Sequence, residues 1–327
     1  MTVWKAAIIG LGNIGMGYDY NRSDGSYILS HASGFYYHPS FKLVGAVDTV
    51  KSKRDAFEKK FKCPAFSSIR DLMKMCNPQV VSIAVPTKLH FSVFMETIEF
   101  GLKAIICEKP ITDNVKQAKL MVSKSRLSDC ALVVNYMRRF EPGVNELKKM
   151  ITSLKKENIY KGTVWYSKGI LNNGSHFIDL LRYLLGDVTE FEIINPGRKW
   201  EGVDPEPDVL LSFGKSRIIF LAGKEENFSL AEMELVGTKG KIRYEKEGNI
   251  IEYYKCVSDP VFHGYRILDD KPNHIPSDLK HAQIYVLNNL SDYLEGKSKC
   301  ILSSGETALK TLDIVKKIVK KRNEVAK

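Results

Sequence analysis

Gly10-Leu11-Gly12-Asn13-Ile14-Gly15 sets three glycines at a spacing whose chemistry is the binding of phosphate by main chain. In such a turn the first glycine permits a tight bend after a strand and the second lets the backbone approach a pyrophosphate. The third lets the next helix pack on the sheet. The phosphates then sit at a helix amino terminus, where unpaired N–H groups favour negative charge. Glycine-rich turns after strands are common, so this turn needs a companion. Asp48, closing the run Ala46-Val47-Asp48, is placed to accept hydrogen bonds from the hydroxyls of an adenosine ribose, which favours NAD over NADP.

Asp48 comes thirty-three residues after Gly15, where about twenty is usual. The excess falls on residues 17–30, a polar, aromatic, turn-rich stretch that reads as a loop bulging from the phosphate-binding turn before a helix resumes near His31. Two readings stand: a tolerated surface insertion, or a lid over cofactor or substrate.

The elements that position these residues follow from hydrophobic periodicity. Short apolar runs at 3–10, 43–47, 80–85, 104–107 and 131–134 have the texture of buried parallel strands. Helical patterns lie between them, at 51–61, 69–76, 89–100 and 114–125. That alternation predicts a doubly wound parallel sheet. After Arg138-Arg139-Phe140-Glu141-Pro142 a helix runs to about Leu154, and β-rich segments follow near 159–167, 188–195, 208–213, 216–222, 229–236, 240–245 and 249–256. They predict a large, mostly antiparallel open sheet, interrupted by an amphipathic helix over 176–185 and followed by helices near 278–295 and 305–322. The expected organisation is a Rossmann domain over 1–137 and an α+β domain for substrate binding and oligomerisation over 138–327, whose last helices can pack back on the first domain.

Composition narrows the class. The 327 residues are 44% hydrophobic, enough for two cores, and no apolar run is long enough to span a bilayer. The six cysteines are scattered without a C-x-x-C pair, so a disulfide framework and a zinc site are not indicated, and a reducing cytoplasm is expected. The net charge of +11 is compatible with nucleic acid, an acidic membrane or an anionic small substrate. Many of the lysines, such as Lys148-Lys149 through Lys155-Lys156, recur at helical spacing, the pattern of a solvated face. Without a recognised motif or basic segments interleaved with aromatics, no nucleic-acid or membrane partner is expected.

By Glu108-Lys109-Pro110 the chain resembles the glucose–fructose oxidoreductase/inositol dehydrogenase/MocA (Gfo/Idh/MocA) family. The likeness rests also on the glycine turn, Asp48, Val85-Pro86-Thr87 with His90, Asn135-Tyr136 leading into Arg138-Arg139-Phe140, and Gly174-Ser175-His176-Phe177-Ile178-Asp179-Leu180-Leu181-Arg182-Tyr183. The resemblance implies an NAD-dependent oxidoreductase that passes a hydride between nicotinamide and a secondary hydroxyl or keto group of a sugar, cyclitol or nucleotide-activated sugar, with no metal. It implies that Lys109 touches the reacting oxygen, with a lowered pKa beside the cofactor, that Pro110 is cis, and that His176 takes the hydroxyl proton. It assigns Gly10, Gly12, Asn13, Ile14, Gly15, Asp48, Pro86, Thr87, His90 and Glu108 to the cofactor, and Lys109, Tyr136, Arg138, Asn172 and His176 to the substrate. A homodimer or homotetramer is implied too.

Bland readings stand beside these: Lys109 as a surface residue at a strand end, His176 as a helix cap, Arg138 and Arg139 as ion-pair partners, and Asp179 as a structural partner of Arg182. Many relatives carry aspartate four residues before the histidine; here it is Asn172, an amide that can orient the ring but cannot stabilise imidazolium with a full charge. The alternative function is a catalytically inactive, ligand-sensing or regulatory protein of the same family.

Overall fold

The computed structural model describes residues 2–22, 24–153 and 159–326. The Lys155-Lys156 end of the lysine stripe and the end of the helix at Leu154 lie outside the described residues. The chain divides into two compact units, Met1–Phe140 with Lys280–Leu312, and Glu141–Leu279 with Asp313–Lys327.

The first unit alternates strand and helix: β1 (Trp4–Ile9), α1 (His31–Tyr37), β2 (Phe41–Val47), α2 (Lys51–Phe61), β3 (Ala65–Phe66), α3 (Ile69–Cys76), β4 (Val80–Ile83), α4 (Thr87–Thr97), β5 (Ala104–Cys107), α5 (Val115–Leu127) and β6 (Ala131–Val134). The strands form one parallel sheet in the order β3-β2-β1-β4-β5-β6, reversing direction between β1 and β4. Both faces are covered, and β4 and β5 are buried at every position, which is why they read as unbroken apolar runs. Helix α4 starts two residues before the pattern suggested, at Thr87, and tightens to a 3-10 turn over Ile98–Phe100.

The second unit contains α6 (Pro142–Ser153), β7 (Ile159–Tyr166), α7 (Ser175–Leu185), β8 (Glu190–Asn195), β9 (Lys199–Trp200), β10 (Asp204–Pro205), β11 (Asp208–Phe213), β12 (Ser216–Ala222), β13 (Ala231–Gly237), β14 (Gly240–Glu245), β15 (Ile250–Ser258), β16 (Arg266–Leu268) and β17 (Asn273–Ile275). Its large sheet runs β16-β15-β14-β13-β7-β12-β11-β8, with β17 also on β15. All its pairs are antiparallel except β12 on β7. Residues alternate in and out, so Val164, Tyr166, Met233, Leu235, Ile242 and Tyr244 enter a core with Phe177, Ile178 and Leu181 of α7. The other face carries Trp165, Leu221, Glu232, Glu234, Arg243 and Glu245. Two helices follow, α8 (Ala282–Leu294) and α9 (Gly305–Val325). Among the described residues, no helix is long and apolar enough to cross a membrane.

Candidate active site

Five loops leave the carboxyl edge of the parallel sheet in register, because the ladder continues one residue past each strand. The amide of Gly10 donates to Val47 O (2.8 Å), Ala84 to Ile9 O (2.8 Å), Glu108 to Ile83 O (3.0 Å) and Asn135 to Cys107 O (2.8 Å). Glycine turn, Asp48, Val85-Pro86 and Glu108-Lys109-Pro110 therefore share one edge, at the point of strand-order reversal where doubly wound sheets bind ligands.

In the glycine turn, a Cβ on Gly15 would lie 2.0 Å from Gly10 O, so that residue admits no side chain. Gly12 differs: a Cβ there would meet no protein atom within 4 Å. The protein's own packing does not require its bareness, whereas close approach by a pyrophosphate does. Asp48 accepts from Leu11 N–H through Oδ2 (2.8 Å) and from Val50 N–H through Oδ1 (2.8 Å), which fixes its carboxylate beside the turn. Of the nearby cations, Lys51 pairs with Asp55 (2.8 Å), Arg54 donates to the carbonyls of Asp48 and Thr49 (2.8 and 3.0 Å), and Lys53 Nζ stands 3.9 Å from Asp48. Asn13 is exposed and Ile14 half-buried. The insertion is spliced into the start of α1: His31 N–H donates to Ile14 O and Ala32 N–H to Gly15 O, both at 3.0 Å, so the helix resumes on the turn's own carbonyls.

Lys109 is half-buried, and its bond to Pro110 is cis, as the resemblance implies. Glu108 is buried; Oε1 accepts from Asn135 Nδ2 (2.6 Å) and lies 2.8 Å from His31 Nε2, and Oε2 accepts from Lys109 N–H (3.2 Å). Burial pushes its pKa up, but the His31 contact, then Asn135 and the Lys109 charge, outweigh this and hold the group below the usual carboxylate range. His90 is buried in the first turn of α4, with Nδ1 2.9 Å from Pro110 O and Nε2 2.9 Å from Val85 O. Its ring thus links two loops of the edge. Pro86 is exposed and Thr87 half-buried where α4 begins. Tyr136 lies in the core of the unit, and Arg138 and Arg139 are buried, with Arg139 Nη1 donating to Leu302 O (3.3 Å).

In the second unit, Asn172 and His176 flank the junction between a π-helical turn, Gly169–Gly174, and α7. Two buried carboxylates hold that turn. Asp204 accepts from the amides of Leu171 (3.0 Å) and Asn172 (2.9 Å), and Glu206 from that of Gly169 (3.2 Å). Gly169 has φ +78°, and a Cβ would fall 2.0 Å from Asp204 Cγ, so only glycine allows the approach. His176, half-buried, is the second residue of α7. Asp179 is buried with its Oδ1 4.0 Å from Arg182 Nη1, and Arg182 Nη2 lies 2.6 Å from Asp187, which supports the structural reading of Asp179. Among the described residues, no three His, Cys, Asp or Glu gather to hold a metal.

Residues 4–136 match the model of an oxidoreductase family with an NAD-binding Rossmann fold, Gfo/Idh/MocA. Over these residues the chain is similar to that family. The chain is 28% identical over 180 residues to an inositol 2-dehydrogenase of Corynebacterium glutamicum, covering 52% of each chain. It is 26% identical over 205 residues to the NAD(+)-dependent scyllo-inositol 2-dehydrogenase of Bacillus subtilis, covering 56% of this chain and 54% of that one. Each match thus spans about half the length of the curated relative. The whole fold is shared with the WlbA dehydrogenase of Bordetella pertussis, solved with NADH and UDP-GlcNAcA (TM-score 0.76, 18% identity, 99% of this chain and 96% of that one). Sequence reasoning missed the carboxylates Asp204 and Glu206 and the partners of Glu108. The signal available was faint: Gly169 follows a strand without a turn partner, and Asp204-Pro205-Glu206 sets two acids around a proline.

Proposed function

We propose that the chain is an NAD-dependent oxidoreductase acting on a secondary hydroxyl or keto group of a sugar, cyclitol or nucleotide-activated sugar. The observation that carries this reading is the shared carboxyl edge, where a bare Gly12, a fixed Asp48 and the Lys109 turn stand at the ends of β1, β2 and β5 in the one run β2-β1-β4-β5. Bound there, NAD supplies the acceptor or donor of a hydride. Gly12, Asn13 and Ile14 hold the pyrophosphate by main chain, and Asp48 receives the ribose hydroxyls and disfavours a 2′-phosphate. Pro86 and Thr87 border the nicotinamide. In the oxidative direction the carbinol carbon loses hydride while His176 takes the hydroxyl proton, and Lys109 donates a hydrogen bond to the oxygen as it becomes a carbonyl. Asn172 orients the imidazole or a substrate hydroxyl, and Tyr136 and Arg138 support the substrate side.

The excess of positive charge favours an anionic substrate such as a sugar nucleotide or sugar acid. The bare face of the second sheet suits pairing into a homodimer or homotetramer. The test is reduction of NAD and of NADP, followed by absorbance, against a panel of inositols, sugars and sugar nucleotides. Turnover of a panel member with NAD preferred is the expected result. Tight NAD binding with no turnover on any member transfers the case to the ligand-sensing reading, which Asn172 in place of aspartate favours.

A further inference from the structure

The insertion is held from inside the first unit. Asp19, 1% exposed, accepts from the amides of Leu29 (2.7 Å) and Ser30 (2.9 Å) through Oδ2 and from the Ser30 hydroxyl (2.6 Å) through Oδ1. Ser30 in turn caps α1, its Oγ accepting from Ser33 N–H (3.2 Å). Lys60 donates to the carbonyls of Asp19 (3.0 Å) and Arg22 (3.1 Å), and the Tyr20 hydroxyl to Ala56 O (3.2 Å). A segment so tied is a strap rather than a swinging lid. What it fixes is the first residue of α1, His31, which is 2% exposed and 2.8 Å from Glu108.

We propose that His31 is a positioning residue for Lys109, acting through the Glu108 carboxylate, and that the 17–30 insertion serves to fix His31. A buried carboxylate with a single donor can turn about its last bonds. Glu108 has His31 and Asn135 on one oxygen and the Lys109 amide on the other, so its plane is set. That plane fixes the main chain from which Lys109 departs, and its negative charge lies close enough to couple to the ammonium. His90 secures the far side through Pro110 O. Removing the His31 ring takes one of the two donors from Oε1 and lets the carboxylate shift away from the Lys109 ammonium, which weakens the field that keeps Lys109 charged. The inference rests on the role given to Lys109 above.

The experiment compares His31→Leu with His31→Gln, which keeps an N–H donor. Competitive acetylation of lysines across a pH series, read by mass spectrometry, gives the half-labelling pH of Lys109 without any substrate. In His31→Leu it should fall by about half a unit or more, and His31→Gln should restore it. Should leucine unfold the chain, His31→Asn, polar but too short to reach Glu108, makes the same comparison. An unchanged half-labelling pH in every folded variant overturns the proposal. Turnover gives the second arm: His31→Leu should slow the enzyme about tenfold alone and add almost nothing in a Lys109→Ala background, because the two share one path. Full additivity overturns the proposal. A fully active Lys109→Ala, by contrast, overturns the reading of Lys109 itself, whatever the labelling shows.

Discussion

Lys109 sits on a turn secured through both neighbours, Glu108 by His31 and Asn135 and Pro110 by His90. Groups that handle a proton or an oxygen gain their effect from being placed, so their loss should appear in turnover rather than in binding. Lys109→Ala and His176→Ala should each lower kcat by roughly two orders of magnitude or more. NAD affinity by calorimetry should barely change, and full activity in His176→Ala would move the proton to another group. A second expectation concerns Glu108. Because its pKa is held low, its contribution to stability is complete above the ordinary glutamate titration, roughly pH 4 to 5, and is lost as pH falls through the lowered value. The melting-temperature gap between wild type and Glu108→Gln should be constant above about pH 6 and shrink on acidification. A gap that does not vary with pH would show that folding leaves the Glu108 pKa unshifted. Gly10, Gly12 and Asp48 were legible in sequence because each ends or follows a short apolar run, and Lys109 because the motif Glu108-Lys109-Pro110 carries the family resemblance. Glu108 with His31, and Asp204 with Asn172, were not. Those contacts join residues 77 and 32 positions apart, and no periodicity records which distant donor a buried carboxylate will meet.

At the level of elements, the apolar runs of the first sheet and the alternation of the second were readable because burial on two faces and on one face leave different patterns. Strands of two or three residues, β3, β9, β10, β16 and β17, are too short to carry a period. The parallel pairing of β12 with β7 was invisible for another reason: alternation states which face is buried, not which way the neighbour runs. The insertion was legible as an excess of residues, while its attachment through Asp19 was not. Since Asp19 satisfies three donors in the interior, Asp19→Ala should destabilise the chain by about 1–3 kcal/mol, visible as a lower denaturant midpoint at unchanged slope. An unchanged midpoint would mean that the strap closes without its anchor.

On the scale of the whole molecule, the thiols grade by depth. Cys107 and Cys130 are buried in the first unit, and burial raises both, Cys130 to about 12, whereas Cys300 is exposed. At pH 8 a maleimide should modify Cys300 within seconds to minutes and reach Cys107 and Cys130 only at the rate of unfolding. Fast labelling of Cys130 would point to local opening between α5 and β6. Assembly is tested by light scattering: a mass of two or four chains is expected, and Trp165→Asp combined with Ile219→Asp, both on the bare sheet face, should reduce it.

The way the chain is shared between the units bears on its birth. The first unit draws Val286, Leu287 and Leu290 from α8 and Ala308 and Leu312 from α9 into its cores, and the second draws Val315 and Ile318 from α9. A nascent chain that has emerged as far as residue 279 has every described strand yet can seal neither unit. At roughly 5–20 residues per second, the wait for the missing helices lasts a few seconds. The late helices therefore act as a clock, setting how long a chaperone can find open apolar surface on this protein before it vanishes from view.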